Sequence, residues 1–281
     1  MAKDIRQSTK FAAFMVSLGW RALKINSSLC YLRKMPFMNN FAKIPRSKEI
    51  YPIEDYKYFI RENKIFKLKL SPLITSDNKK FRKQKNNLLG NGFTIDMNPF
   101  NPTTTIEIDL KKPLETIFNN FSQAKRRAVR RAIKNKIEIR ISNDIESFVK
   151  IRQNQYFPFG FLVNKETRNI WQNFAPQNAV LLLAYQKNNS RPLAGILLLH
   201  FEQISYYWFA SSLQLGKKLF APTLLVYEAL KVSQKAGCQK FDFEGIYDPR
   251  FPKAAESWKG FTRFKEGFGG KNVEYFENLT T

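Results

Sequence analysis

The residues best suited to chemistry lie near the C-terminus, where glycines are mixed with aromatic and basic side chains. Residues 260–270 read GFTRFKEGFGG, with four glycines, three phenylalanines, one arginine and one lysine. So many glycines disfavour a helix and permit tight turns and a close approach of the backbone to a ligand. An apolar wall beside cations suits a group that is negative or becomes negative in a transition state. A purely structural interpretation, a surface loop and a glycine-rich hairpin, is equally open.

The elements that must position this stretch come directly before it. Residues 241–243 alternate apolar and acidic side chains, as a half-buried strand does. A helix over 222–234, opened by Pro222 and closed by Gly237, precedes that strand. Three further strands are predicted at 180–185, 193–200 and 203–211. The sequence therefore predicts a sheet that ends in a strand–helix–strand unit.

The rest of the chain is predicted to be a similar mixture, so the fold class is α/β with both helices and strands throughout. Helices are predicted over 7–18, 54–63, 77–90, 144–155 and 165–174. Strands are predicted over 21–31, 64–70 and 102–110. Residues 156–161 form an aromatic knot, which is expected to pack in the core, with the lining of a cleft as the alternative.

A strongly basic helix is predicted over 113–136. Apolar residues occupy one face at helical spacing, and seven cations within twelve residues cover the other. Three interpretations are open: a solvated basic face, a helix on a membrane surface, or a face that binds phosphates through the forked contacts of arginine. The cations are Lys125, Arg126, Arg127, Arg130, Arg131, Lys134 and Lys136.

The net charge of +24 over 281 residues is the strongest compositional feature. A chain this basic repels itself unless it meets anions. Nucleic acid, an anionic membrane surface and phosphorylated substrates are therefore all candidate partners. A hydrophobic fraction of 43% supports a sizeable core.

Residue usage argues against several kinds of site. His200 is the single histidine and ends an apolar run, so a core or strand-end role is expected rather than a catalytic triad or a metal site. Cys30 and Cys238 are too few for a disulfide framework or a zinc site. The apolar run at 11–20 is too short to span a bilayer, and no signal-peptide cleavage site is evident. A cytoplasmic protein is expected, with peripheral association with the inner face of the cell membrane as a further option.

Three groups of motifs carry a resemblance to a known family. The C-terminal group is DFEGI at 242–246 with FKEGFGG at 264–270, and the central group is PTTTIEIDL at 102–110 with RAVRRAIK at 127–134. The N-terminal group is QSTKF followed by LGWRALK, which together span 7–24. In order and spacing these motifs resemble the FemA/FemX family, whose members are non-ribosomal peptidyltransferases that build peptidoglycan cross-bridges from aminoacyl-tRNA.

The resemblance implies two GNAT-like domains (the fold of the Gcn5-related acyltransferases), each with a mixed sheet flanked by helices. The first is expected over 1–142, with 271–281 returning to it. The second, over 143–270, is expected to carry the catalytic site. No coiled-coil arm is found between the two, so the compact FemX-like form is expected.

The implied reaction moves an amino acid from aminoacyl-tRNA to the stem-peptide amine of a UDP- or lipid-linked muramyl peptide. Neither metal nor cofactor is expected, because the aminoacyl ester of the co-substrate is already activated. The resemblance implies that Lys265 stabilises the oxyanion or the departing ribose oxygen. It also implies that Phe264 stacks on the terminal adenosine of the tRNA. Ser71 stands where some relatives have an acid before a proline, so no general base is assigned.

Five residues are expected to bind the acceptor. By resemblance, Lys24 contacts its phosphate, and Lys165 and Arg168 lie where relatives place an arginine on its phosphates. Tyr207 belongs to an aromatic strand, and Asp242 could accept a hydrogen bond from the acceptor. For Lys24 a solvated strand lysine is the alternative, and for Asp242 a structural role at a strand end.

Six cations are expected to contact the phosphates of the tRNA. Segment 214–221 lacks the glycine-rich loop with which acetyl-CoA users of the GNAT fold hold a pyrophosphate, which argues for another acyl carrier. Two lysines in that segment, just before the predicted helix, form an anion site instead. The six are Arg127, Arg130, Arg131, Lys134, Lys217 and Lys218.

Two other functions remain open from the sequence. One keeps the fold but uses another activated donor or amine acceptor, as an N-acyltransferase. The other is a non-catalytic protein that binds RNA or a membrane surface through the basic helix, for which Lys265 would be dispensable.

Overall fold

The computed structural model describes residues 4–281 and divides the chain into two compact units. Unit one comprises the residues up to Thr105 together with Gly245–Lys259 and Val273–Thr281. Unit two comprises Ile106–Glu244 and Gly260–Asn272. Each unit has its own mixed sheet with helices beside it, so the predicted α/β class is confirmed.

Unit one is built on a six-stranded sheet in the order β1-β2-β3-β4-β13-β5. The strands are β1 (Arg21–Ile25), β2 (Ser28–Lys34), β3 (Asn40–Ser47), β4 (Ile65–Pro72), β5 (Thr94–Ile95) and β13 (Leu279–Thr280). The helices are α1 (Thr9–Ser17), α2 (Ile53–Glu62), α3 (Lys79–Leu89) and α10 (Pro252–Ala255), with 3-10 turns at Ile5–Gln7 and Glu256–Trp258.

The core of unit one follows from the patterns of β4 and α2. In β4 the alternating residues Leu68 and Leu70 are fully buried, and β3 pairs parallel to this strand. In α2 the spacing of Tyr56 and Phe59 turns both rings inward, while acidic residues in the first turn favour the helix dipole. The predictions for these two elements are confirmed within one or two residues.

Residues 21–31 are not one strand, as predicted, but most of a hairpin. Strands β1 and β2 pair antiparallel, with Ile25 opposite Ser28. The turn between them places Asn26 at a φ of 48°, a left-handed conformation that asparagine adopts more readily than most residues. Without a glycine at this point the sequence carries only a weak turn signal.

Unit two contains a seven-stranded sheet in the order β12-β6-β11-β10-β9-β8-β7. The strands are β6 (Thr104–Asp109), β7 (Ile137–Ser142), β8 (Ala179–Gln186), β9 (Ala194–Phe201), β10 (Ile204–Ser212), β11 (Lys240–Asp242) and β12 (Lys271–Glu274). The helices are α4 (Leu114–Asn119), α5 (Gln123–Lys134), α6 (Ile145–Gln155), α7 (Asn164–Phe174), α8 (Gln214–Lys218), α9 (Ala221–Lys235) and α11 (Lys259–Glu266), with a 3-10 turn at Gly160–Val163.

The predicted strand–helix–strand unit is confirmed as β10, α9 and β11. Strand β11 pairs parallel to β10, and α9 packs against β9 and α5. Strand β10 pairs antiparallel with β9, and its register shifts between Tyr207 and Phe209, as at a β-bulge.

Two further predicted elements differ in the structure. The basic helix is two helices, α4 and α5, because Ser122 accepts the backbone N–H of Lys125 and caps a new helix there. The glycine-rich stretch contains a helix, α11, although its glycine content disfavours one. Gly260 lies in its first turn and the other three glycines follow its last residue, so the interior of the helix contains none.

The two units are divided differently from the predicted domains 1–142 and 143–270. Segment 106–142 belongs to unit two, because β6 pairs antiparallel with β11 and β7 pairs antiparallel with β8. Segment 245–259 belongs to unit one. The end of the chain supplies β13, which lies between β4 and β5 in the first sheet.

Candidate functional site

Lys265 lies on α11 in unit two and is only 9% exposed. Its Nζ is 5.7 Å from the centroid of the Tyr207 ring, which belongs to β10. Tyr207 in turn packs against Phe243, with ring centroids 5.5 Å apart. The structure therefore brings together two of the predicted site residues, Lys265 and Tyr207, on an aromatic wall.

The charge of Lys265 is set by two opposing effects. Burial lowers the pKa of its ammonium to about 8, while the negative charges of Glu244 and Asp242 act in the opposite direction. Asp242 is itself buried at the end of β11 and accepts the backbone N–H of Glu244 at 2.8 Å. The third predicted residue, Asp242, thus acts electrostatically on Lys265 and also stabilises the local backbone.

Phe264 is held by Lys125, which is not among the predicted site residues. The Nζ of Lys125, on α5, lies 3.6 Å from the centroid of the Phe264 ring and 4.7 Å from that of Phe268. This is a close cation–π contact. Burial also lowers the pKa of Lys125 to about 8. Because Lys125, Ala128, Val129 and Ala132 are spaced i, i+3, i+4 and i+7, the sequence did contain a sign that Lys125 faces inward.

The glycines after α11 let the backbone pack closely on neighbouring elements of unit two. A Cβ on Gly267 would lie 2.7 Å from Cε of Lys125, and the Gly267 carbonyl accepts the backbone N–H of Ser122 at 2.8 Å. Gly270 adopts a φ of 99° and approaches the carbonyl of Glu107. These glycines therefore position α11 against α5 and β6.

We define the lysine–aromatic cluster as Lys125, Tyr207, Phe264, Lys265 and Phe268. Two partly or fully buried ammonium groups lie on aromatic rings, each with its pKa lowered by burial. Chemically, such a cluster can stabilise a developing negative charge and stack a planar group.

The predicted tRNA-binding cations lie on exposed surfaces of unit two. On α5 the alanines and valine of the buried face are opposite four exposed cations. Lys217 and Lys218 are exposed in the last turn of the short helix α8, which ends three residues before the first residue of α9. The four cations on α5 are Arg127, Arg130, Arg131 and Lys134.

The remaining predicted acceptor-binding residues are not brought into the cluster. Arg168 donates two hydrogen bonds of 2.7 Å to the carboxylate of Glu146, an exposed ion pair that a phosphate would have to displace. Lys165 is exposed near the start of α7. Lys24 is exposed on β1 in unit one, paired in register with Leu29.

Unit one holds a buried charged network that the sequence did not reveal. Asp248 is 3% exposed and accepts hydrogen bonds from the hydroxyls of Thr103 and Thr104, at 2.5 and 2.9 Å. Arg250 donates to the same carboxylate at 2.7 Å and to the carbonyl of Tyr275 at 3.0 Å. Burial by itself would raise the pKa of Asp248, but these hydrogen bonds outweigh it and hold the pKa at about 2.

A family model matches much of unit two. Residues 171–279 match the model of the FemAB family. The resemblance found in the sequence is confirmed over this segment, which includes α9, β11, α11 and the Phe264-Lys265 pair. No curated protein matches the chain.

Solved structures confirm the fold over nearly the whole chain. The crystal structure of FemX matches with a TM-score of 0.81 at 17% identity, over 99% of this chain and 92% of that one. The structure of L-PGS from Bacillus licheniformis matches with a TM-score of 0.62 at 10% identity, over 96% and 86%. A tandem GNAT protein from the clavulanic acid biosynthesis pathway matches with a TM-score of 0.56 at 8% identity, over 90% of this chain and 78% of that one. The expected GNAT-like fold is therefore confirmed.

No helix among residues 4–281 is both long enough and apolar enough to cross a membrane.

Proposed function

We propose that this protein is an aminoacyltransferase that moves an amino acid from aminoacyl-tRNA to the stem-peptide amine of a peptidoglycan precursor. The match to the FemAB family model and the likeness to FemX support the general class, a transferase of peptidoglycan bridge formation. The observation that carries the finer proposal is Lys265, a buried ammonium on an aromatic wall within the matched segment.

The proposed step is an exchange of an ester for an amide. The acceptor nitrogen attacks the ester carbonyl carbon and forms the new C–N bond, and the C–O bond to the terminal ribose breaks. The amine loses one proton and the departing ribose oxygen gains one. The carbonyl oxygen becomes negative in the tetrahedral intermediate, and a fixed cation aimed at it is the contribution that the step needs.

Lys265 supplies that cation in the proposal, and Phe264 stacks the terminal adenosine of the tRNA. At pH 7 a lysine with a pKa of about 8 is still largely charged. Tyr207 and Asp242 line the acceptor side, where Asp242 also keeps Lys265 protonated. In this proposal Lys165 and Arg168 of unit two contact the acceptor phosphates, which displace Glu146 from Arg168.

The tRNA is held through its phosphates. The exposed cations of α5 can track a phosphate backbone because arginine makes forked contacts and the binding is electrostatic. Because the donor is a tRNA, the proposed place of work is the cytoplasm. The cations of this surface are Arg127, Arg130, Arg131, Lys134, Lys217 and Lys218.

The test is transfer of a radiolabelled amino acid from a mixed pool of aminoacyl-tRNAs to a UDP-linked and, separately, a lipid-linked muramyl pentapeptide. Wild type, Lys265→Met and the control Lys271→Met are compared, because Lys271 is an exposed lysine six residues further on. We expect label in a precursor with wild type and the control, and at least a hundredfold slower transfer with Lys265→Met.

The other outcomes are equally informative. Equal transfer by Lys265→Met would refute the role of Lys265 and keep the activity. No transfer to either precursor by a wild-type protein that still binds tRNA would refute the function and favour an RNA-binding protein. Transfer to a different amine would identify another N-acyltransferase.

A further inference from the structure

An aromatic segment of unit two projects its rings into solvent. Residues 156–162 read YFPFGFL, and Phe157, Phe159, Phe161 and Leu162 are 85%, 66%, 59% and 66% exposed. The sequence predicted that this segment would pack in the core, and that expectation is wrong for these side chains. We call residues 156–162 the aromatic loop.

The amount of exposed aromatic surface is unusual for a segment this short. With about 200 Å² per ring, the three phenylalanines expose roughly 400 Å². Soluble proteins rarely show apolar patches above a few hundred Å², and the largest patch on a monomer is often functional. Covering this surface would therefore stabilise the protein.

The aromatic loop is anchored at two points. Gly160 is buried against α6 so closely that a Cβ there would overlap the carbonyl of Gln153. Arg152 of α6 is 4% exposed, and its guanidinium carbon lies 3.9 Å from the Phe209 ring and 5.7 Å from that of Tyr156. The loop is thus held at its base while its phenylalanines point outward.

The charges around the loop favour an anionic surface. Lys150, Arg152 and Lys165 lie between Glu146 and Glu166, so residues 146–166 contain three basic and two acidic side chains. Lys150 and Lys165 are exposed on either side of the loop in the sequence. The whole chain carries a net charge of +24. Aromatic rings that enter the headgroup region, flanked by lysines that remain in water, are typical of proteins that bind at a membrane surface.

We propose that the aromatic loop is a membrane-docking element that inserts Phe157, Phe159 and Phe161 into the headgroup region of an anionic bilayer. Lys150 contacts the anionic headgroups at its edge. This inference does not depend on the proposed enzymatic activity, and it assigns membrane binding to a surface other than the basic helix.

The test compares binding to two kinds of vesicle, phosphatidylcholine alone and phosphatidylcholine with phosphatidylglycerol, by flotation. The loop variant is Phe157→Ser with Phe159→Ser. Its matched control is Phe37→Ser with Tyr58→Ser, because these rings are also exposed, at 109% and 61%, but lie in unit one. We expect wild type and the control to bind the anionic vesicles. The loop variant should bind them at least about tenfold more weakly than wild type.

A second measurement places one residue in the bilayer without removing the rest of the loop. Cys30 and Cys238 are buried, so the one exposed cysteine of Phe159→Cys can be labelled selectively with an environment-sensitive dye. We expect a blue shift with anionic vesicles, and none for the same dye at Phe37→Cys. Unchanged vesicle binding by the loop variant, or no shift at position 159, would overturn the proposal. If the loop variant binds vesicles normally but no longer binds tRNA, the proposal is overturned and the aromatic loop is instead a surface that binds RNA.

Discussion

The charge state of Lys265 can be tested through the pH dependence of transfer. Burial lowers the pKa of this ammonium from 10.5 to about 8. That lowering corresponds to about 3 kcal/mol of free energy that disfavours the charged form in the folded protein. Roughly nine-tenths of the protein therefore carries the cation at pH 7, and roughly one-tenth carries it at pH 9.

The acceptor amine must lose its proton to attack, so its reactive fraction rises about tenfold per pH unit below its own pKa. In wild type this rise is offset above pH 8 by the loss of the Lys265 cation. The logarithm of the rate should therefore climb to about pH 8 and then level off. Lys265→Arg keeps its charge at every accessible pH, so its rate should continue to climb.

The ratio of the two rates removes the unknown pKa of the acceptor. Between pH 7 and pH 9 the rate of Lys265→Arg relative to wild type should rise about tenfold. Single-turnover transfer from a pre-charged tRNA is the appropriate assay, corrected for ester hydrolysis without protein. Lys125 also has a pKa of about 8, so Lys125→Met is the necessary control and should keep the wild-type profile.

A constant rate ratio from pH 7 to pH 9 would refute the cationic role of Lys265. If the arginine variant is too slow to measure, stability gives the same information about the pKa. The unfolded chain binds more protons than the folded one between about pH 8 and 10.5, so the stability of wild type should rise with pH in that window. Lys265→Met should lack up to about 3 kcal/mol of this rise and should be the more stable protein at pH 7.

Three further changes act on the contacts described above. Glu244→Gln removes a charge that raises the pKa of Lys265, so the levelling of the rate should move to lower pH in the same assay; a shift to higher pH would contradict this. Asp248→Asn should lose about 2 kcal/mol of unfolding free energy at pH 7, because the wild-type contribution is present above pH 3.8 and lost as pH falls towards 2. Gly267→Ala should displace Lys125 and cost about 1–3 kcal/mol in denaturant unfolding, whereas alanine at the glycine in the first turn of α11, which has open space, should cost nothing.

Local patterns in the sequence predicted most of the elements of unit two. Strands β8 and β9 are nearly continuous apolar runs between turn residues, and α9 begins and ends at a proline and a glycine signal. Local patterns do not show which strand pairs with which in a sheet. The pairing of β6 with β11 joins residues more than a hundred positions apart, and it is this pairing that moves segment 106–142 into unit two.

Two misjudged segments show where composition misleads. The number of glycines at 260–270 disfavours a helix, yet their positions permit one, because all but one lie outside the helix that carries Lys265. The aromatic loop was expected in the core because its residues are apolar, yet Gly160 is the residue that is buried there. Hydrophobicity alone therefore does not distinguish a core segment from a docking surface.

The environment of Lys265 favours a cation over a general base. A lysine that served as a base would gain from burial without nearby negative charge, because both conditions lower its pKa. Here Glu244 and Asp242 oppose the effect of burial and keep the ammonium largely charged at pH 7. Burial desolvates the Lys265 ammonium, and the two nearby carboxylates keep it protonated. A buried, charged ammonium is what electrostatic stabilisation of an oxyanion requires. The proton lost by the attacking amine must then leave by another route, through solvent or a group of the substrates.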